Sequence, residues 1–335
     1  MRSCNRSPVI CEKTMRSLVR FLAINAVLLG IFCLSLFLGR YSVNFQELLS
    51  SGLASEILFN IRLPRILAAA VLGMALAAAG AALQSAFKNP LVEPSLLGVS
   101  QGSAFGAALA ILFFVNSPVV IEISSTAFGL LALLIAYMLS SSIKYGGKIL
   151  RLVLAGIAVS AIFSGGVGII KTMADPLNQL PALTFWLLGG LSGAGWNDLL
   201  YMLPLALCGI AALLLLRWRV NLLTLRDDVT FSLGTDPGKL RALVVIFAVL
   251  AVAAVTSVAG VIGWVGLIVP HVARKIFGAD NSQIIPASLI LGAGLMIAFD
   301  TVARTLTAGE IPLGIVTSLC GAPVFLLLLS RGGES

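Results

Sequence analysis

The stretch LPRILAAAVLGMALAAAGAALQSAF, Leu63–Phe87, decides the fold class. It carries no charge between Arg65 and Lys88 and is apolar from Ile66 to Leu83, and nine alanines and two glycines fall between Ala68 and Ala82. At ~1.5 Å per residue such a run crosses a ~30 Å hydrocarbon layer as one helix. Its small side chains let neighbouring backbones approach closely, which matters where lipid offers no hydrophobic drive for helix association.

Working outward, similar runs recur along the chain. Hydrophobic residues make up 59% of the 335 residues and charged residues 11%, against ~25% charged in soluble domains, and the mean hydropathy is +1.05. The runs predict an all-α integral membrane protein of ten transmembrane helices, at about 18–38, 64–87, 96–115, 118–143, 149–173, 198–217, 239–262, 264–278, 284–305 and 312–330. Continuous apolar runs without period-two alternation favour helices over a barrel. A cytoplasmic N-terminal segment, 1–17, precedes one ten-helix domain, 18–331. The basic start resembles a secretory signal, but the run Phe21–Leu38 is long and no small-residue cleavage site follows it, so it reads as the first helix.

Placing the N-terminus in the cytoplasm leaves 17 of the 22 lysines and arginines inside. Arg40, Arg62, Arg65, Lys171 and Arg304 lie outside, and both termini are then cytoplasmic. The net charge of +8 thus follows from topology and calls for no nucleic-acid partner. Five cysteines, among them Cys33, Cys208 and Cys320, form no CxxC and predict neither a metal site nor a disulfide.

Two connecting segments are long. The outer one, Ala174–Asn197, contains Phe185–Gly190, apolar enough to dip back into the membrane where protein surrounds it. The inner one, Trp218–Gly238, carries Leu222, Leu225, Val229 and Leu233 at three- and four-residue steps, with Asp227 and Asp228 on the other side. This pattern predicts a short amphipathic helix, ended by Gly234, that lies on a protein partner or on lipid headgroups. Acidic residues facing an anionic leaflet favour the protein. Ala79-Gly80 precedes Pro90 at the interval by which Ala259-Gly260 precedes Pro270, the pattern of an inverted repeat.

Ionisable residues within the spans are scarce, which argues against a proton-coupled secondary transporter. His271 is the single histidine, so paired haem ligation is excluded. Gly98–Gly102 matches GxSxG without the sheet that makes a nucleophile elbow. Ser192, in Gly190-Leu-Ser-Gly193, matches a rhomboid-type GxSG whose base would have to be His271, on a different element. No GxxxxGK[ST] occurs, so ATP phosphates are not cradled by that route.

Several segments, in order, carry a family resemblance: Ile61–Arg65 (IRLPR), Gln84–Ser100 (QSAFKNPLVEPSLLGVS), Arg151–Gly156 (RLVLAG), Phe185–Gly190 (FWLLGG), Gly263–His271 (GWVGLIVPH), Pro312–Thr317 (PLGIVT) and Gly321–Phe325 (GAPVF). The chain resembles the FecCD permeases of ABC importers for iron-siderophores, haem, cobalamin and molybdate. The resemblance implies a type II importer permease fold in a bacterial or archaeal cell membrane and a homodimer around a central pathway. It also implies two ABC ATPase subunits, which carry ATP and Mg, and a substrate-binding protein. The permease itself is not an enzyme and binds no cofactor.

The family's coupling helices correspond to Leu222, Leu225, Asp227, Asp228, Val229, Leu233 and Gly234. Its gate and pathway correspond to Asn89, Pro90, Leu91, Arg151, Ala155, Gly156 and Ser160, and its docking contacts for the binding protein to Arg62, Arg65 and Arg304. Ferric siderophore is the first expectation for the cargo, with haem, cobalamin or molybdate as alternatives in the same family and an ion-coupled secondary transporter as the more distant one.

Overall fold

A computed structural model describes residues 8–39, 52–114, 117–307 and 309–330. Among these the regular structure is helical: α1 (Pro8–Phe37), α2 (Leu63–Ala86), α3 (Val99–Phe113), α4 (Pro118–Ser142), α5 (Lys148–Met173), α6 (Gln179–Leu188), α7 (Trp196–Thr224), α8 (Asp227–Ser232), α9 (Pro237–Ala259), α10 (Val265–Phe277), α11 (Asn281–Thr305) and α12 (Leu313–Ser330). A lead-in of Gly52–Glu56 and the π-helical Ile57–Arg62 runs directly into α2, and Pro94–Leu97 forms a 3-10 turn before α3.

Every expected span contains a helix. Among the described residues, seven helices are long and apolar enough to cross a membrane, α2 together with its lead-in among them. Of the expected ten, α3 with 15 residues, α10 with 13 and α12 with 18 are the shorter ones. The chain is thus an all-helical multi-pass membrane protein. The additional helix α6 occupies the segment expected to fold back.

Helix α2 forms the centre. All but a few of its side chains are buried, and it packs against α7, α9, α10 and α11. Glycine makes these approaches possible. A Cβ on Gly73 would lie 2.0 Å from the Gly292 carbonyl oxygen of α11, and one on Gly80 would lie 2.0 Å from that of Gly266 in α10. Backbone therefore rests on backbone, and dispersion and close packing hold the bundle where area burial cannot. A second group, α3 with α4 and α5, packs through Gly102 and Gly106 on the Phe128 and Ser124 carbonyls.

Helix ends are fixed by sequence-local groups. Asp236 accepts hydrogen bonds from the amides of Gly238 and Lys239 at the start of α9, with Pro237 in its first turn. Asp280 does the same for Ser282 at the start of α11.

Three irregular junctions meet on the Arg65 side of the bundle. Helix α6 ends at Gly189 (φ 70°) and α9 at Gly260 (φ 68°), where a Cβ on Gly260 would press to 2.2 Å from the Trp186 carbonyl. Gly190 donates to the Ala259 carbonyl and Gly314 to that of Gly189, so the broken backbones satisfy one another. These three helix ends border a cavity of about 530 Å³, whose lining includes Arg65, Trp186, Gly190, Ser192, Gly260 and Glu310.

The expected inverted repeat is not seen locally. Gly80 lies in mid-helix, whereas Gly260 ends one with positive φ, and Pro90 sits in a loop while Pro270 is inside α10. The two Ala-Gly pairs share spacing and not backbone geometry.

Candidate functional site

The residues singled out in the sequence fall into two polar clusters, one at each end of α2, and a turn along α5.

At the Lys88 end, the run Leu222–Leu233 is divided between two helices. Helix α7 continues to Thr224, the chain breaks at Leu225 and Arg226, and α8 is a separate six-residue turn. Thr230, fully buried, causes the reversal: its hydroxyl donates to the carbonyls of Leu222 and Arg226 at 2.6 and 3.2 Å, tying α8 back onto the end of α7. The single amphipathic helix of the sequence reading is corrected accordingly. Of its apolar residues Leu222 is half-buried at the end of α7, while Leu225, Val229 and Leu233 are exposed, and Phe231, which the periodicity omitted, is 69% exposed. Gly234 follows at φ 80° and lets the chain turn toward α9.

The two acidic residues, expected to share the opposite side, differ. Asp228 makes only an exposed local pair with Arg226, at 3.3 Å. Asp227 instead joins three elements. It accepts from Arg241 of α9 at 3.1 Å and from Lys88, just past α2, at 3.2 Å, while Arg241 Nε donates to the Ala86 carbonyl at 3.0 Å. Partial burial opposes ionisation of Asp227, but the hydrogen bonds from Arg241 and Lys88 outweigh it and hold the carboxyl below its ordinary range.

A companion network lies beside it. Asn221 at the end of α7 donates to Asp280 at 2.7 Å and accepts from the Asn281 amide at 2.8 Å, and Ser85 donates to the Asn281 side chain at 2.7 Å. Desolvation raises the Asp280 carboxyl, yet hydrogen bonds from Ser282 and Asn221 bring it below its usual value. Gln84 donates to the Gly266 carbonyl at 3.1 Å and accepts from Arg274 at 2.6 Å.

The loop Asn89-Pro90-Leu91 is exposed and lies directly after Lys88, held by the Asn89 side chain accepting from the Leu91 amide at 2.9 Å. From there the chain enters the Pro94–Leu97 turn, which packs on α5. Ala155 and Gly156 are both buried, and Gly156 lies beneath that turn, where a Cβ would stand 2.4 Å from the Leu96 carbonyl. Ser160 is half-buried, and Arg151 donates to the Gly146 carbonyl at 2.8 Å.

At the other end of α2 lie Arg62, Arg65 and Arg304, expected as docking contacts for the binding protein; within this chain they are only 5%, 8% and 6% exposed. Arg65 Nη2 lies 2.8 Å from Asp300, and Arg65 Nη1 lies 2.9 and 3.0 Å from the two Glu310 oxygens. Arg304 Nε stands 3.6 Å from the second Asp300 oxygen, and its Nη2 donates to the Ser35 hydroxyl at 2.7 Å. Arg62 donates to the carbonyls of Leu36 and Phe37. The physical reason is desolvation: an arginine at a packed helix junction requires anionic and carbonyl partners, and these helices supply them. As placed here, the three guanidiniums tie α1, α2 and α11 together.

Ser192 lines the cavity on this side. His271 has Nδ1 3.2 Å from the Leu267 carbonyl oxygen and packs edge-on against Phe325. Sequence reading passed over Lys88, Arg241, Asn221, Asp280 and Glu310 as site residues. Lys88, Asn221, Asp280 and Glu310 meet side chains 59 to 245 residues away, and Arg241 reaches Asp227 14 residues off across the break between α8 and α9.

Residues 27–331 match the FecCD transport family. The chain is 39% identical to the molybdate import system permease protein MolB of Haemophilus influenzae, covering 96% of this chain and 97% of that one. It is 40% identical to a probable iron chelatin transport system permease protein of Helicobacter pylori, over 83% of each. Identity to the hemin transport system permease protein HmuU of Yersinia pestis is 36%, over 95% and 97%. A solved metal-chelate type ABC transporter, described in an inward-facing conformation, superposes with a TM-score of 0.86 at 37% identity, covering 92% of this chain and 98% of that one. With the family's pattern matched over residues 27–331 and relatives 36–40% identical over more than four fifths of the chain, the chain belongs to the FecCD transport family.

Proposed function

We propose that this chain is the membrane-spanning subunit of an ATP-binding-cassette importer that brings a metal chelate, ferric siderophore first, into the cytoplasm. In this reading it crosses the membrane ten times with both termini cytoplasmic and pairs with a second copy around the pathway. It works with two ATPase subunits that hold ATP and Mg and with a substrate-binding protein on the outer face.

The observation that carries the proposal is α8. A six-residue turn that exposes Leu225, Val229, Phe231 and Leu233 while ion pairs fix its base is a rigid apolar knob, suited to a groove on a soluble subunit. The Lys88 end is then cytoplasmic, and the adjoining Asn89–Leu91 loop with α5 forms the gate. The binding protein docks over the Arg62, Arg65 and Arg304 face, where buried arginines give the surface its shape and partly exposed Glu310 gives it a charge.

Molybdate is the second reading for the cargo, supported by the MolB similarity over nearly the full length. Uptake by proteoliposomes holding the complete complex, offered ferric siderophore or molybdate with the matching binding protein, separates the two. ATP-dependent iron accumulation without molybdate accumulation is the expected result, and the reverse result replaces the chelate by the oxyanion.

A further inference from the structure

The last turn of α2 and Lys88 just past it give a hydrogen-bonding group to a different helix at each of four positions. Gln84 reaches α10, Ser85 reaches α11, the Ala86 carbonyl receives Arg241 of α9, and Lys88 reaches Asp227 of α8. Lys88 is also the point where the chain leaves the helix, with φ 52°, a left-handed conformation uncommon for a long side chain. It turns the backbone into the exposed Asn89–Leu91 loop.

Asp227 therefore has two arms of different character. The Arg241 arm is buried, with a side chain 9% exposed, and fixes α8 to α9. The Lys88 arm is at the edge of solvent and connects α8 to the loop. Beyond the loop, the Pro94–Leu97 turn rests on Gly156 of α5. Lys88 is the side-chain link that joins a displaced α8 to this path while the backbone of α2 stays anchored.

We infer that Lys88 is a positioning residue for transport: through Asp227 it couples movement of α8 to the Asn89–Leu91 loop. The inference rests on the importer reading given above. The test uses the full complex in proteoliposomes, with cargo imported per ATP hydrolysed as the readout, and the variants K88Q, K88R, D227N and K88Q/D227N. K88Q is expected to assemble normally and to lose about fivefold in cargo per ATP, the scale of one partly exposed ion pair. K88R restores most of that ratio, and the double variant falls no lower than D227N alone.

A K88Q complex with the wild-type ratio overturns the inference, as does an equal loss in K88Q and K88R. Because Lys88 lies at the surface, K88Q keeps the test valid even where D227N fails to fold. A wild-type complex that binds the ATPase but imports nothing overturns the importer reading instead, and this inference with it.

Discussion

At Asp300 a carboxylate without solvent exposure lies between the guanidiniums of Arg65 and Arg304. Removing it leaves two buried cations short of a partner, a change that costs about 3–5 kcal/mol in comparable buried pairs. Asp300→Ala is therefore expected to unfold at markedly lower temperature in detergent, while Thr305→Ala, one turn further on and exposed, stays near wild type. Equal stability of the two variants would show that the ion cluster is not structural. Asp227 behaves differently, because it is half exposed and its link is worth under about 1 kcal/mol. Its carboxyl is held below the ordinary value, so its contribution is present above the unfolded pKa of ~3.9 and is lost as pH falls through the lower folded value. The stability difference between wild type and D227N should be constant from about pH 5 to 8 and shrink only below about pH 4; a difference that fades near neutrality contradicts the assignment. The sequence marked Arg62, Arg65 and Arg304 as exceptions to the charge pattern, and they are special. Why they are special was illegible, since Arg65 meets Asp300 across 235 residues of chain and pairing at that separation is a product of the fold.

Among the elements, α2 and α8 show the two sides of legibility. The small-residue run of α2 predicted close helix contacts, and Gly73 against Gly292 and Gly80 against Gly266 are such contacts. Gly73→Ala forces carbonyl and methyl together and is expected to cost about 1–3 kcal/mol or more. Gly165→Ala in α5 meets nothing within 4 Å and should be neutral or gain up to ~1 kcal/mol of helix propensity. Thermal unfolding of both variants checks this, and similar losses would show that the tight contact is not the cause. For α8 the apolar period was read as a single helix, and the structure divides it, because periodicity does not register a hydroxyl such as Thr230 that reverses the chain. Leu225→Asp and Leu233→Asp are predicted to insert normally and to lose most ATP-driven uptake, which a matched-expression uptake assay measures; normal uptake by both would remove α8 from the coupling path. Helix α10, with 13 residues, was the shortest expected span, and its bounds Val265–Phe277 fall within one residue of the expected 264–278.

For the whole molecule, amount and spacing of apolar sequence were enough to give an all-helical membrane protein, because lipid leaves only helices or a closed barrel to satisfy the backbone and continuous runs lack a barrel's alternation. The assembly was legible only through the family resemblance, since no length of apolar run specifies a partner. The central claim is that this chain conducts and a separate subunit hydrolyses. It is tested most directly by measuring ATP hydrolysis and cargo uptake in the same nanodisc and proteoliposome preparations, with the chain alone and with its ATPase subunit and binding protein. The account predicts no hydrolysis and no uptake for the chain alone, and vanadate-sensitive hydrolysis with uptake for the complex. Uptake by the chain alone, driven by an ion gradient and indifferent to vanadate, would contradict it.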